Sequence, residues 1–385
     1  MELSRYFNPV NNELLKIRSN FDKEGRLISI PINFGLQPLS IDTYDIVIVG
    51  IDNENGKSGV LKLNAPDAIR YFLYQLFNPA KNLKIVDLGN VIVSNNENNN
   101  TNELTSILSY LFQQQKTVIL LGGNQLHTYS AFKAYEKNNA IINITAIDSK
   151  FDLGIHTEGI TEHNYLGKII ETNNGTLFNY TNIGYQSYFV SKNEYELIHK
   201  LFFDTYRLGQ MRENIAELEP VLRDTNFVSF DLSAIRQSDS PAQLQQSPNG
   251  LYGEEACQIS RYCGLSDNLN CFALFGLSPE LDINNQSAHL AAQIIWYFIE
   301  GFNNRKNEIP TLKSENFQKF IVKFNKYFDI LTFFKSTLTN RWWLQIPYQT
   351  HQKDKMIISC SYTDYLNATN NDIPDRLWKI IQKII

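Results

Sequence analysis

Short apolar segments rich in β-branched residues alternate along the chain with longer segments whose apolar residues recur at helical spacing. The apolar segments cover residues 44–50, 83–89, 117–123, 140–148, 181–184, 226–231 and 270–276, and a long apolar helix is predicted over 287–302. Their apolar character is nearly continuous, which favours parallel strands that helices cover on both faces. We therefore predict a three-layer α/β/α fold with a mostly parallel sheet.

Three of the predicted strands end in polar residues at the point where the chain leaves the sheet. These residues are Gly123-Asn124-Gln125, Asp148 and Asp231. Functional groups of parallel α/β sheets gather just beyond the carboxyl ends of the strands, so we expect these side chains to lie near one another. The pattern does not fix the order of the strands.

The last part of the chain has a different composition. From about Pro310 it is rich in aromatic and basic residues, among them Phe317, Phe320 and Phe324 at helical spacing. We divide the chain into an α/β domain over residues 1–309 and an aromatic-rich helical extension over residues 310–385. Because aromatic residues at this spacing are typical of packing surfaces, we expect the extension to cover the main domain or a partner subunit.

Net charge and hydropathy restrict the partners that the chain could have. The 385 residues carry a formal net charge of −5, which argues against nucleic acid or an anionic membrane as a partner. No apolar stretch of the sequence reaches the roughly 18 residues of a membrane span. Residues 1–8 lack the features of a secretory signal, and the four cysteines form no CxxC pair. We therefore expect a cytoplasmic protein without a structural zinc site.

The polar strand ends carry three short motifs, which are Gly122-Gly123-Asn124-Gln125, Asp148-Ser149-Lys150-Phe151-Asp152 and Ser229-Phe230-Asp231-Leu232-Ser233. In this order they resemble the GGDH-like, DAHxD-like and SFDxD-like elements of the arginase–agmatinase–formimidoylglutamase (ureohydrolase) family. The resemblance covers roughly residues 44–302 and looks nearest to the formimidoylglutamase branch. It implies an arginase-like fold and a homo-oligomer, because family members commonly assemble as trimers or hexamers.

The family holds two manganese ions and a bridging water with four carboxylates and two imidazoles. By resemblance, the positions of the first ion are Gln125, Asp148, Asp152 and Asp231. Gln125 stands in place of a histidine and offers an amide oxygen, whereas the three aspartates are kept. This set of oxygen atoms could hold one hard divalent cation, such as Mn²⁺, Mg²⁺ or Ca²⁺.

The resemblance implies that the second ion has lost its own ligands. Lys150 stands in place of a histidine and Ser233 in place of an aspartate, and a protonated ammonium cannot bind a metal. We expect Lys150 to occupy the place of the second ion and to pair with Asp148 and Asp231. Arg236 is a second source of compensating positive charge.

One substrate position and three histidines complete the candidate site. By resemblance, Gly276 stands where the family has the glutamate that receives a guanidinium-type group. We interpret His156 and His163 as exposed loop residues, and His127 as a side chain that points away from the site.

These features lead to competing hypotheses about function. The first is a ureohydrolase-family homologue with a degenerate two-metal site, which binds an unknown small ligand in the old cleft or a protein partner. The second is an active metal-dependent hydrolase of linear amidine C–N bonds, with formimidoylglutamase-, agmatinase- or arginase-like activity. The third is a structural subunit whose aromatic tail forms an interface, with the acidic cluster kept for packing.

Overall fold

The structure is a computed structural model, and it describes residues 3–14, 16, 24–35, 40–52, 61–80, 82–92, 97–154, 159–310, 315–324, 328–347 and 356–384. A nine-stranded sheet forms its centre, in the order β1-β3-β2-β4-β9-β8-β5-β6-β7. All pairs in this sheet are parallel except that of β1 with β3. Its strands are β1 Phe7–Asn8, β2 Ile46–Ile51, β3 Ile85–Val91, β4 Thr117–Leu121, β5 Ile142–Ile147, β6 Leu177–Tyr185, β7 Asp204–Arg207, β8 Phe227–Asp231 and β9 Cys271–Phe275.

Helices cover both faces of this sheet, as the continuous apolar strands predict. Successive residues of one strand enter different cores: Ile46 and Ile48 pack into one hydrophobic cluster, and Val47 and Val49 into the other. The predicted three-layer α/β/α fold is therefore confirmed. Its helices are α1 Ala65–Leu73, α2 Glu97–Gln113, α3 His127–Lys137, α4 Tyr165–Thr172, α5 Lys192–Lys200, α6 Leu208–Glu213, α7 Leu218–Arg223, α8 Gly253–Gly264 and α9 Gln286–Asn303.

The position of β9 decides where the functional groups meet. Although β9 is the last of these strands in the chain, it pairs with β4 on one side and with β8 on the other. Strand β5 follows β8 in the sheet. The carboxyl ends of β4, β9, β8 and β5 are therefore adjacent, and the polar residues that follow them share one edge.

The carboxyl-terminal extension differs from the prediction, because much of it is a sheet. Strands β10 Phe317–Lys323, β11 Ile330–Ser336, β12 Trp342–Gln345 and β13 Ile357–Cys360 form a four-stranded antiparallel sheet, which α10 Tyr362–Thr369 and α11 Asp375–Ile384 follow. Leu331 and Phe333 alternate into its core, as Trp342 and Leu344 do. The helical prediction was wrong for β10–β13 because this alternation, together with β-branched and aromatic residues, favours strands. The boundary at residue 310 stays a prediction.

The extension packs against the amino ends of the parallel strands. Arg376 of α11 pairs with Asp224 at 2.8 Å, and Lys379 pairs with Asp204, the first residue of β7, at 2.8 Å. The extension thus covers the main domain at the edge of the sheet opposite to the carboxyl ends. Within the described ranges, no helix is long and apolar enough to cross a membrane.

Candidate functional site

A cavity of about 170 Å³ lies beyond the carboxyl ends of β4, β9, β8 and β5. We call it the carboxylate cavity. The seven metal and substrate positions that the family resemblance implies line it, and they are Gln125, Asp148, Lys150, Asp152, Asp231, Ser233 and Gly276. His163 lines it as well, together with loop residues that the sequence patterns did not indicate, namely Asp52, Glu162, Gln245 and Glu280. The prediction that the polar strand ends meet is confirmed.

Asp148 and Asp152 are both buried in the cavity. The backbone N–H of Lys150 donates to Asp148 Oδ1 at 3.0 Å, whereas Asp148 Oδ2 is buried and accepts no hydrogen bond from the described residues. Burial and the neighbouring Asp152 raise the pKa of Asp148 well above its usual range. Burial also raises the pKa of Asp152 to about 7. These two carboxyls retain protons at pH values where exposed aspartates are ionised.

Asp231 ends β8 and caps the short helical turn Leu232–Ala234. The backbone N–H of Ser233 donates to Asp231 Oδ1 at 2.6 Å. Burial, followed by the charge of Asp148, raises the pKa of Asp231 to about 7. Asp231 therefore joins the two buried aspartates as a third carboxyl that does not ionise freely.

Gly276 lies directly after β9 and faces Asp231. Its backbone is left-handed, with φ of +87°, and a Cβ atom at this position would lie 2.9 Å from Asp231 Oδ1. A side chain at residue 276 would therefore strain the backbone and displace the carboxylate. The cavity therefore carries no side chain at the position where the family resemblance implies a glutamate.

Lys150 does not pair with Asp148 and Asp231, so this expectation was wrong. Its ammonium donates to Gln245 Oε1 and lies 5.5 Å from the centre of the Phe189 ring. The flexible stem of a lysine carries its charge outward, whereas short aspartate side chains stay with their strand ends. Lys150 still acts electrostatically on the site, because its charge lowers the pKa of Asp152.

Gln245 connects two loops over the carboxylate cavity. Besides accepting from Lys150, it places its amide Nε2 3.0 Å from His163 Nε2. His163 Nδ1 lies 3.8 Å from Asp152 Oδ1. His163 is half-exposed, as expected of a loop residue, but it belongs to the cavity. No periodic pattern marks these loop residues in the sequence, because loops place them through tertiary contacts.

Gln125 is a buried amide with two hydrogen bonds. Its Nε2 donates to Tyr165 Oη at 3.2 Å and to Ser229 Oγ at 3.3 Å. These contacts fix the side chain against the main domain. Gln125 is thus a hydrogen-bonded amide, and its position as a metal ligand stays a prediction.

The other charged candidates lie away from the carboxylates. Arg236 pairs with Asp239 at 2.9 Å and stacks over Tyr252, so it is not placed as their counter-charge. His127 is buried at the start of α3 and does not line the cavity, and burial lowers its pKa to about 4. His156 lies outside the described residues.

Among the residues that the structure describes, no three His, Cys, Asp or Glu side chains converge as the ligands of one ion. The wall around Asp148, Asp152 and Gln125 offers oxygen atoms that suit a hard cation. Lys150, Ser233 and Gly276 line the same cavity and contribute an ammonium, a hydroxyl and backbone.

Known proteins resemble this chain over most of its main domain. A family model described as the arginase family matches residues 44–300. The formimidoylglutamase of Staphylococcus haemolyticus (strain JCSC1435) is 23% identical over 270 residues, which are 65% of this chain and 82% of that protein. A crystal structure of Trypanosoma cruzi formiminoglutamase with Mn²⁺ matches with a TM-score of 0.62 at 19% identity, covering 73% of this chain and 99% of that chain. Formimidoylglutamase from Bacillus subtilis matches with a TM-score of 0.63 at 17% identity, covering 76% and 99%.

Proposed function

The chain belongs to the arginase family, and from this membership we propose that it is a catalytically impaired member that binds a small organic cation in the carboxylate cavity. The observation that carries the proposal is the chemistry of three residues that line the cavity. Lys150 and Ser233 stand where the family resemblance places the separate ligands of the second ion, and Gly276 has no side chain. An ammonium and a hydroxyl do not supply what a second divalent ion requires.

The charges of the cavity favour a cationic ligand. The side chains of Asp148, Asp152, Asp231 and Glu162 face the same space as the single ammonium of Lys150. Buried carboxyls with raised pKa values are stabilised in their ionised form when a cation enters. A planar amidinium would donate two parallel hydrogen bonds to one carboxylate, which is the strongest such arrangement. Asp148 Oδ2, which has no partner among the described residues, is a suitable acceptor.

The second candidate is a hydrolase of linear amidine C–N bonds that uses one divalent cation. The observation that favours it is that three retained aspartates, Asp148, Asp152 and Asp231, line the cavity together with Gln125. These residues would hold the cation, which would supply a water of lowered pKa. The names of the relatives support this candidate, because they are formimidoylglutamases.

Metal content and product release distinguish these candidates. Purified protein supplied with Mn²⁺ should hold at most one equivalent and release no ammonia, formamide or urea from N-formimidoylglutamate, agmatine or arginine. Two equivalents together with any of these products would refute the proposal. One equivalent that Asp152→Ala removes, together with product release, would establish the second candidate.

Calorimetric titration of metal-free protein with agmatine tests directly whether the cavity binds such a ligand. Asp152→Ala should weaken binding at least tenfold, and the exposed Asp42→Ala should leave it unchanged. Adding back the family residues with Lys150→His and Ser233→Asp should create manganese binding. We further propose that the chain forms a homo-oligomer and that it binds a protein partner, and both proposals rest on family membership alone. Sedimentation would reveal the oligomer.

A further inference from the structure

The side chains that line the carboxylate cavity are mostly acidic where they can carry a charge. Among the described residues that line it, Lys150 is the only lysine or arginine, and its ammonium donates to the neutral amide of Gln245. The carboxyl groups that line it number six, and they are Asp52, Asp148, Asp152, Glu162, Asp231 and Glu280. A cleft lined by one sign of charge attracts ligands of the opposite sign and repels those of its own.

His163 adds no positive charge to the cavity in this arrangement. Gln245 accepts from Lys150 through Oε1, so its Nε2 is the atom that donates to His163 Nε2 at 3.0 Å. A ring nitrogen that accepts a hydrogen bond carries no proton, and the imidazole is therefore neutral. Lys150 remains the one positive charge among the described side chains that line the cavity.

Asp148 supplies the position for the first cationic group of a ligand. Its side chain is buried, with 2% exposure, and its Oδ2 has no hydrogen-bond partner among the described residues. A buried acceptor without a partner costs free energy, and a donor that enters the cavity removes this cost. The planar cation of the proposed function is such a donor.

Glu162 supplies the position for a second cationic group. It lies in the loop before α4, and its side chain is 34% exposed, whereas that of Asp152 is 6% exposed. Besides burial, which is the main cause, the charge of Glu162 raises the pKa of Asp152 and of Asp231. Glu162 is therefore a carboxylate nearer to solvent whose field extends over the buried aspartates.

A ligand carboxylate has no favourable position beside Glu162. It would be repelled by Glu162 and would lose hydration on entering the cavity. An ammonium at the same place would instead form a charge-assisted hydrogen bond. Leu244, Leu277 and Pro279 also line the cavity, and such apolar surface suits the methylene chain that would join two cationic groups.

We propose that the carboxylate cavity selects a linear dication without a carboxylate, and that Glu162 determines this specificity. The planar cation at one end of the ligand pairs with Asp148, and the ammonium at the other end pairs with Glu162. This inference rests on the proposed function, and it adds the class of cation that binds and the residue that selects it.

Three ligands test this inference by calorimetry on the full, metal-free chain. Agmatine carries a guanidinium and an ammonium. Arginine adds only a carboxylate on the carbon that bears the ammonium, and butylguanidine lacks the ammonium. Agmatine should bind at least about tenfold more tightly than either of the other two, as expected for one charge-assisted hydrogen bond. This comparison needs no variant and holds even where a variant fails to fold.

Substitutions of Glu162 test its role directly. Glu162→Gln keeps the shape of the side chain, and it should weaken agmatine about tenfold and leave butylguanidine unchanged. Glu162→Lys should reverse the preference, so that arginine binds more tightly than agmatine. Glu171→Gln is the matched control, since Glu171 is exposed on α4 and pairs with Lys168, and it should leave all three affinities unchanged.

The possible outcomes separate this inference from the proposed function. Equal affinities for agmatine and arginine would overturn the inference and leave the proposed function in place. Weaker binding of arginine to Lys150→Met than to the unaltered protein would show that Lys150 receives the carboxylate, which would overturn the inference as well. Equal affinities for agmatine and butylguanidine would overturn the role of Glu162. Absence of binding by all three ligands would overturn the proposed function and this inference with it.

Discussion

Replacing Asp231 by Asn should stabilise the metal-free protein, and the gain should grow with pH. The side chain keeps its shape, and Oδ1 of an asparagine can still accept the Ser233 N–H that now lies 2.6 Å away. The substitution removes a carboxyl whose pKa burial raises from 3.8 to about 7. The folded state binds this proton more tightly than the unfolded state. The resulting stability is fully present below pH 4 and is lost as the pH rises through about 7.

The size of this effect follows from the two pKa values. Each tenfold difference in proton affinity corresponds to about 1.36 kcal/mol, so the advantage of Asp231→Asn grows by at most about 4 kcal/mol between pH 4 and pH 8. Asp231 keeps partial access to solvent at the cavity wall, and water screens its charge. We therefore expect an observed gain of about 1–2 kcal/mol. Effects of the substitution on stability that do not depend on pH are equal at pH 4 and pH 8, so they cancel in the difference between the two values.

Urea unfolding at pH 4 and pH 8, in the presence of a chelator, measures this gain. Asp239→Asn is the control, because its effect on the free energy of unfolding should have the opposite sign. Although burial alone would raise the pKa of Asp239, the N–H of Gly253 and the side chain of Arg236 lower it. That variant should therefore lose stability at pH 8. An advantage of Asp231→Asn that is absent, or that shrinks as the pH rises, would refute the reasoning.

Three further substitutions test the backbone, a buried histidine and a buried ion pair. Gly276→Ala should cost more than Gly175→Ala in urea unfolding: both backbones are left-handed, which costs about 1–3 kcal/mol, but only the Cβ at residue 276 would have neighbours within 4 Å. Equal costs would contradict the contact at residue 276. Burial lowers the pKa of His127 to about 4, so stability falls as the pH drops from 6.5 towards 4. Between pH 7 and pH 5 the unaltered protein should lose about 2 kcal/mol of its free energy of unfolding through this histidine, and His127→Leu should remove that loss. Urea unfolding at the two pH values would show the difference. Arg70 donates to both oxygens of Asp87 at 2.8 Å in the core. Arg70→Met should therefore cost about 3–5 kcal/mol in the same assay, and unchanged stability would contradict this reasoning.

The motifs at the strand ends correctly predicted where the carboxylate cavity lies. Asp231 ends a strand, and Asp148 and Gln125 come shortly after one, and each strand has an apolar run that is visible in the sequence. Parallel strands bring such ends to one edge. The orientation of Lys150 could not be predicted in this way. Its ammonium is directed by Gln245, which comes from a loop 95 residues away and carries no periodic signal.

In the carboxyl-terminal extension, the spacing of the aromatic residues predicted the wrong secondary structure. The spacing of Phe317, Phe320 and Phe324 fits a helix, yet β10 Phe317–Lys323 is a strand. Aromatic residues pack equally well on a helical face and on a sheet, so spacing over a few residues does not decide between them. The pairing of β10 with β11 over seven residue pairs decided it.

The sequence by itself determined the layers of the main domain and the strand-end residues of its carboxylate cavity. Both depend on local patterns, namely continuous apolar strands and the polar residues that end them. Only the tertiary structure decided that β9 lies between β4 and β8, that Gly276 faces Asp231, and that Glu162 lines the carboxylate cavity. These features arise from contacts between residues far apart in the chain, and such contacts leave no periodic trace in the sequence.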